Sequence, residues 1–330
     1  MIEVVTKVTF EKKIMVTQHF NPEKKLQKAA FISLLLLLFG SFSFAQNKTS
    51  VADLQELKGF TQNYYYSSGY EDRALKLAQL MEDAGRFYQT ELGFTPEIKM
   101  FILAPQDWKS YAAPPLHDVY GFPHNIDRVR LAVAAEDNVF WRSFLKNPDQ
   151  LPNKLKERVT LAYGTSEGNY SMKPFFDLLA IHEMGHSYTS QAGIKTQRHW
   201  MEELFVNIML HTYIAEKQKN LLPALETFPD MVVTAGSINY KFTSLADFER
   251  LYSSMGMGPE NYGWYQSMLH SQAKHIYNAG GKNVLKRLWK ALKNHQKEMS
   301  DEDFAAMLLK DVHPSVANVY LKWNVPNEMN

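Results

Sequence analysis

Residues 174–192 form an apolar stretch that holds His182-Glu183-Met184-Gly185-His186, and this combination constrains the chain more than any other feature. Phe175, Phe176, Leu178, Leu179 and Ile181 make the preceding turns fit for burial. Pro174 suits the first turn of a helix, and Gly193 suits its end. Two imidazoles and a carboxylate on a buried helix need partners, because unpaired buried polar groups cost several kcal/mol. His182 and His186 stand four residues apart, so they leave the same face of the helix. That spacing lets one metal ion take both rings. Glu183 is turned about a hundred degrees round the axis, within reach of a metal-bound water without being a ligand itself.

A catalytic site of this kind needs a third protein ligand and one open position. The spacing predicts a second helix over 199–217, rich in Met, Phe, Val, Ile and Leu. Glu203, Asn207 and His211 fall at i, i+4 and i+8 and draw one polar seam along it. The seam favours Glu203 over Glu202 as the carboxylate on the metal, with Asn207 behind it to orient a ligand. Glu202 shares its face with Val206, Met209 and Tyr213, and His211 reads as a satisfied core histidine.

The rest of the chain supplies the frame. Residues 73–92 carry apolar positions at helical spacing up to Gly93, and residues 97–103 alternate as a strand closed by Pro105. A second strand is expected over 128–135. Residues 46–62 read as a loose lead-in, 104–127 as a long surface connection, and 146–171 as polar and turn-rich. Helices are expected near 263–278, 283–296, 301–311 and 315–323, with Ser300 as an N-cap. Tyr64, Tyr65, Tyr66 and Trp108 read as packing residues. The fold class is therefore α+β, with an α/β part over 46–220 and a helical part over 221–330.

The N-terminus reads as an export signal. Lys24, Lys25 and Lys28 precede an apolar run that ends at Phe44-Ala45, with cleavage expected after Ala45. Residues 1–14 lie ahead of a second methionine, Met15, and suggest a misassigned start within the 1–45 segment. Export across a bacterial inner membrane follows, to the periplasm or beyond, with no stable membrane span left after cleavage. The full chain carries 36 basic and 35 acidic residues, and the mature part 30 and 32, so nothing attracts nucleic acid. The absence of cysteine excludes disulfides, thiol nucleophiles and thiolate metal sites.

His182-Glu183-Met184-Gly185-His186, followed by Glu203 and Asn207, resembles the gluzincin branch of zinc peptidases, which includes thermolysin and the aminopeptidase-N type. The resemblance is firm over 173–216. It implies a zincin-like fold, Zn2+ as cofactor on His182, His186 and Glu203, Glu183 as general base, and Asn207 as an orienting residue. It also implies a peptide or protein substrate paired with an edge strand, for which 128–135 is the candidate. A tyrosine or histidine donor would face the developing oxyanion, and Tyr262, Tyr265 or His270 could fill that place. Two departures stand out. The family more often has Asp where this chain has Asn207, and the 16 residues between His186 and Glu203 are two fewer than in the aminopeptidase type. The metzincin pattern fails at Thr189 and Ala192. Residues 134–138 faintly resemble an amine-holding loop of the aminopeptidases, although a plain strand-ending turn explains them better. A zinc protein that only binds peptide or cell-wall material, and a zinc hydrolase of other amides or esters, are the rival expectations.

Overall fold

The computed structural model describes residues 53–114, 116–145, 150–254 and 256–323, and its architecture is mixed α+β. The expected export signal at 1–45 lies outside the described residues. Among the described residues, no helix is long and apolar enough to cross a membrane.

A five-stranded sheet forms one end of the molecule. Its strands are β1 (Gln55–Leu57), β2 (Asn63–Tyr66), β3 (Lys99–Leu103), β4 (His124–Asn125) and β5 (Arg130–Ala134), in the order β1-β2-β3-β5-β4. β2, β3 and β5 run parallel, with Tyr64 opposite Met100 and Phe101 opposite Ala132. The two outer strands are antiparallel to their neighbours. Tyr64 and Tyr66 turn inward into the core. α1 (Glu71–Leu92) crosses from β2 to β3 and ends at Gly93, whose φ of 69° suits a residue without Cβ.

Four sequence expectations change here. The lead-in contains β1, whose exposed residues give no apolar alternation to detect. The stretch 104–127 contains α2 (Pro105–Tyr111) as well as β4. The strand expected as the free edge, β5, is instead interior, flanked by β3 and β4. On that side of the sheet the edge is β4, whose two residues are too few to show a period. Likewise α4 (Asn153–Tyr163), which follows the short α3 (Val139–Arg142), hides in the turn-rich segment because it buries only Val159 and Tyr163.

The two helices with the polar residues sit at the centre. α5 (Lys173–Gln191) lies against β4 and β5 and is tied to α1 by a bidentate pair between Arg73 and Asp177. α6 (His199–Lys217) is buried at every position from Trp200 to Ala215 except Glu202. A helix apolar on all sides must be wrapped by others. Around it lie α5, α8 (Leu245–Tyr252), α9 (Pro259–Gly280) and α10 (Asn283–Asn294). α7 (Leu222–Thr234) packs along α9, and α11 (Asp301–Met307) and α12 (Pro314–Leu321) close the end. Ser300 caps α11 by accepting from the Asp303 amide. One hydrophobic core runs from the sheet through α5 and α6 into these C-terminal helices.

Gly185 sets the distance between the two central helices. A Cβ there would lie 2.8 Å from Val206 Cγ1 and 2.9 Å from Val206 Cβ. Alanine improves helix propensity by about 1 kcal/mol, but overpacking of this kind costs about 1–3 kcal/mol. We expect Gly185→Ala to lower the unfolding free energy by up to about 2 kcal/mol in urea titration, the larger clash outweighing propensity. A variant more stable than the native chain would mean that α5 and α6 can spread at no cost.

Candidate metal centre

α5 and α6 bring three ligand atoms to one point. The Nε2 atoms of His182 and His186 are 3.3 Å apart. Glu203 Oε2 lies 3.2 Å from His182 Nε2 and 3.9 Å from His186 Nε2. A tetrahedral ion with bonds of about 2.0–2.1 Å separates its ligands by roughly 3.3 Å, so the three atoms fit such an ion closely. This buried His182-His186-Glu203 group could hold a metal ion.

The surrounding hydrogen bonds face the ligands inward. His182 Nδ1 lies 2.8 Å from Asn207 Oδ1, an oxygen that can only accept. The ring proton therefore sits on Nδ1, and Nε2 keeps its lone pair for the centre. His186 Nδ1 faces Glu202 Oε1 at 3.5 Å, so Glu202 steers a histidine while Glu203 faces both Nε2 atoms. Glu203 accepts at Oε1 from the Tyr252 hydroxyl and at Oε2 from Gln266 Nε2, the latter at 2.8 Å. Burial alone would raise the Glu203 carboxyl. His186 and His182, with the Tyr252 hydroxyl, instead hold it well below the usual carboxylate range.

Glu183 stands beside this group on the same helix. Asn125 of β4 donates through Nδ2 to Glu183 Oε2 and to the Glu183 carbonyl, both at 2.9 Å. Burial raises the Glu183 carboxyl, with Glu203 adding to it and both histidines opposing. A raised carboxyl suits a group that must take and return a proton near neutral pH.

The remaining candidates separate clearly. The Tyr262 hydroxyl accepts from Gln266 Nε2 at 2.8 Å, and burial and the charges of Glu203 and Glu183 push its pKa well up. It stays protonated and able to donate. Tyr265 points elsewhere, donating to the Ser244 carbonyl at 2.7 Å amid Phe248 and Trp323. The geometry thus gives no role at the centre to Tyr265. His270 lies with its ring 6.0 Å from that of His182, and burial with the neighbouring histidines pulls it down to about 3. His211 is buried against Glu226, at 3.0 Å, as a core histidine with an ion partner. Residues 134–138 end β5 and start α3, with Asn138 capping it through the Trp141 amide and Glu136 accepting from Tyr70. Those contacts make them a strand-ending turn.

Asn125, Tyr252 and Gln266 were not legible as site residues. A signal for Gln266 existed, since Tyr262, Gln266 and His270 fall at i, i+4 and i+8 on α9, the same seam spacing as Glu203, Asn207 and His211 on α6. Compared with protein-family models, with curated proteins and with solved structures, the chain matches none of them.

Without metal, burial would pull the His186 imidazole down, yet the carboxylates of Glu203, Glu202 and Glu183 push it up to about 9. The folded value lies above the unfolded one near 6.5, so this stabilisation is full below that pH and is lost as pH rises through about 9. A metal requires the neutral ring, so binding near neutral pH must expel one proton. We expect zinc affinity, read by chelator competition, to rise roughly tenfold per pH unit from about pH 7 towards 9. A flat profile would contradict this charge assignment.

Proposed function

We propose that this chain is a zinc-dependent metallopeptidase of the gluzincin type, exported by its N-terminal segment. The observation that carries the reading is the convergence of His182, His186 and Glu203 to tetrahedral spacing with the Glu183 carboxylate alongside. Imidazole and carboxylate donors without thiolate suit zinc in a catalytic rather than a purely structural setting. The order of the elements, a sheet, one ligand helix, a second ligand helix and a helical tail, supports a zincin-like fold.

A zinc ion held there would acidify water and polarise a carbonyl as a Lewis acid. The chain's own residues divide the remaining work. Glu183, kept in place by Asn125, accepts a proton from the attacking water and passes it to the departing amine. Tyr262, its oxygen already accepting from Gln266, offers its proton to the oxygen on which negative charge develops. The outer edge of β4, beside Glu183, presents backbone groups with which an extended peptide can pair. Glu202 and Asn207 hold the two histidine rings at fixed angles.

An intact Glu183 poised by Asn125 favours hydrolysis over passive peptide binding. We expect Glu183→Gln to bind zinc stoichiometrically while peptide cleavage falls by roughly 10²–10⁴-fold, the usual worth of a general base. Tyr262→Phe should reduce kcat by about 10²–10³-fold with zinc retained. Metal analysis and cleavage of a peptide library, with and without a chelator, check both. Native turnover in Glu183→Gln, or library cleavage unaffected by the chelator, would overturn the assignment.

A further inference from the structure

We propose that Gln266 is a positioning residue for the metal centre and that it, rather than the histidine, requires asparagine at position 207. The inference rests on the metal reading above, and deepens it. Five polar side chains from α5, α6 and α9 form a network in which each link has one allowed direction. His182 must keep Nε2 bare to face a cation, so its proton sits on Nδ1 and points at Asn207 Oδ1, 2.8 Å away. That fixes the Asn207 amide and turns its nitrogen towards Gln266 Oε1, at 3.5 Å the longest link. The Gln266 nitrogen then faces the other way. Its two hydrogens go to Glu203 Oε2 and to the Tyr262 oxygen, each at 2.8 Å.

The chain begins at one metal-facing residue and ends at another. Gln266 holds Glu203 Oε2 on the side of His182, where it lies 3.2 Å from Nε2. It also occupies the Tyr262 oxygen as an acceptor, which turns the tyrosine's own proton away from Gln266.

Consider aspartate at 207. It would accept from His182 Nδ1 more strongly than an amide, because charge-assisted bonds are roughly twice as strong as neutral ones. It has no hydrogen for Gln266 Oε1. Turning the Gln266 amide over would satisfy aspartate but set a carbonyl oxygen against the Glu203 carboxylate. A residue that only orients His182 should improve on becoming aspartate, and a residue in a directional amide chain should deteriorate. The two accounts differ in sign.

The test uses the purified chain and zinc alone, with affinity measured by competition against a chromophoric chelator. Thermal melting of the metal-free variants reports folding. We expect Asn207→Asp to weaken zinc binding by roughly 10- to 100-fold, the range for outer partners of a metal ligand, and Gln266→Met to do likewise. In the Gln266→Met background, Asn207→Asp should cost little or strengthen binding, since the two positions are coupled. Binding as tight as native in Asn207→Asp, or the same loss in both backgrounds, overturns the proposal. If Asn207→Asp does not fold, Gln266→Met decides alone, with unchanged affinity overturning it. His182→Ala separates the two levels. If that variant loses zinc while Asn207→Asp and Gln266→Met do not, only the role of Gln266 falls. If it binds zinc as tightly as the native chain, the metal reading falls and takes the proposal with it.

Discussion

A carboxylate sealed inside a helical bundle has to find positive charge or hydrogen-bond donors, and Glu203 is only 1% exposed. Its two oxygens meet Tyr252, Gln266 and the rings of His182 and His186. Desolvating an ion costs several kcal/mol even after relaxation, so the arrangement persists only if all these partners stay in place. Much of the architecture follows from that demand. α6 is wrapped on all sides because it must hold the carboxylate away from water. α5 approaches closely at Gly185 because the histidines must reach it. α8 and α9 close over it because they bring the tyrosine and the glutamine.

The interface between α6 and α9 carries the polar side of this design. Glu203, Asn207 and His211 on one helix face Tyr262, Gln266 and His270 on the other, inside an otherwise apolar contact. Further along, His211 pairs with Glu226, which pairs with Lys274, so the seam ends in an ion network with Asp230. The sheet side contributes differently. β4 supplies Asn125, whose amide grips both the carboxylate and the carbonyl of Glu183. Glu183 is thus held from the sheet, and His182 and Glu203 from the helical bundle.

Local periodicity made the two central helices legible, and with them His182, Glu183, His186, Glu203 and Asn207. These residues lie on two neighbouring helices, where spacing translates directly into a shared face. The α+β class was equally readable, because strands and helices succeed one another in order. What escaped was set by contacts distant in sequence. Tyr252 and Gln266 reach Glu203 from 49 and 63 positions away, and Asn125 reaches Glu183 from 58. Asn125 also sits on a strand of two residues, too short to have a pattern. Tyr265 was a candidate because it shares the opening turn of α9 with Tyr262, but its ring is offset by about 60° round the axis, and there its hydroxyl donates to the Ser244 carbonyl. The edge strand was misplaced for a related reason, since alternation identifies a strand but not which neighbour covers it.

Zinc K-edge X-ray absorption on the purified, zinc-loaded chain would read the atoms that surround the ion. One ion per chain is expected, with two imidazole nitrogens and one carboxylate oxygen at about 2.0–2.2 Å and a fourth light-atom ligand from solvent. A shell of oxygen scatterers without imidazole signals, or a chain that retains no stoichiometric zinc after dialysis, would contradict it.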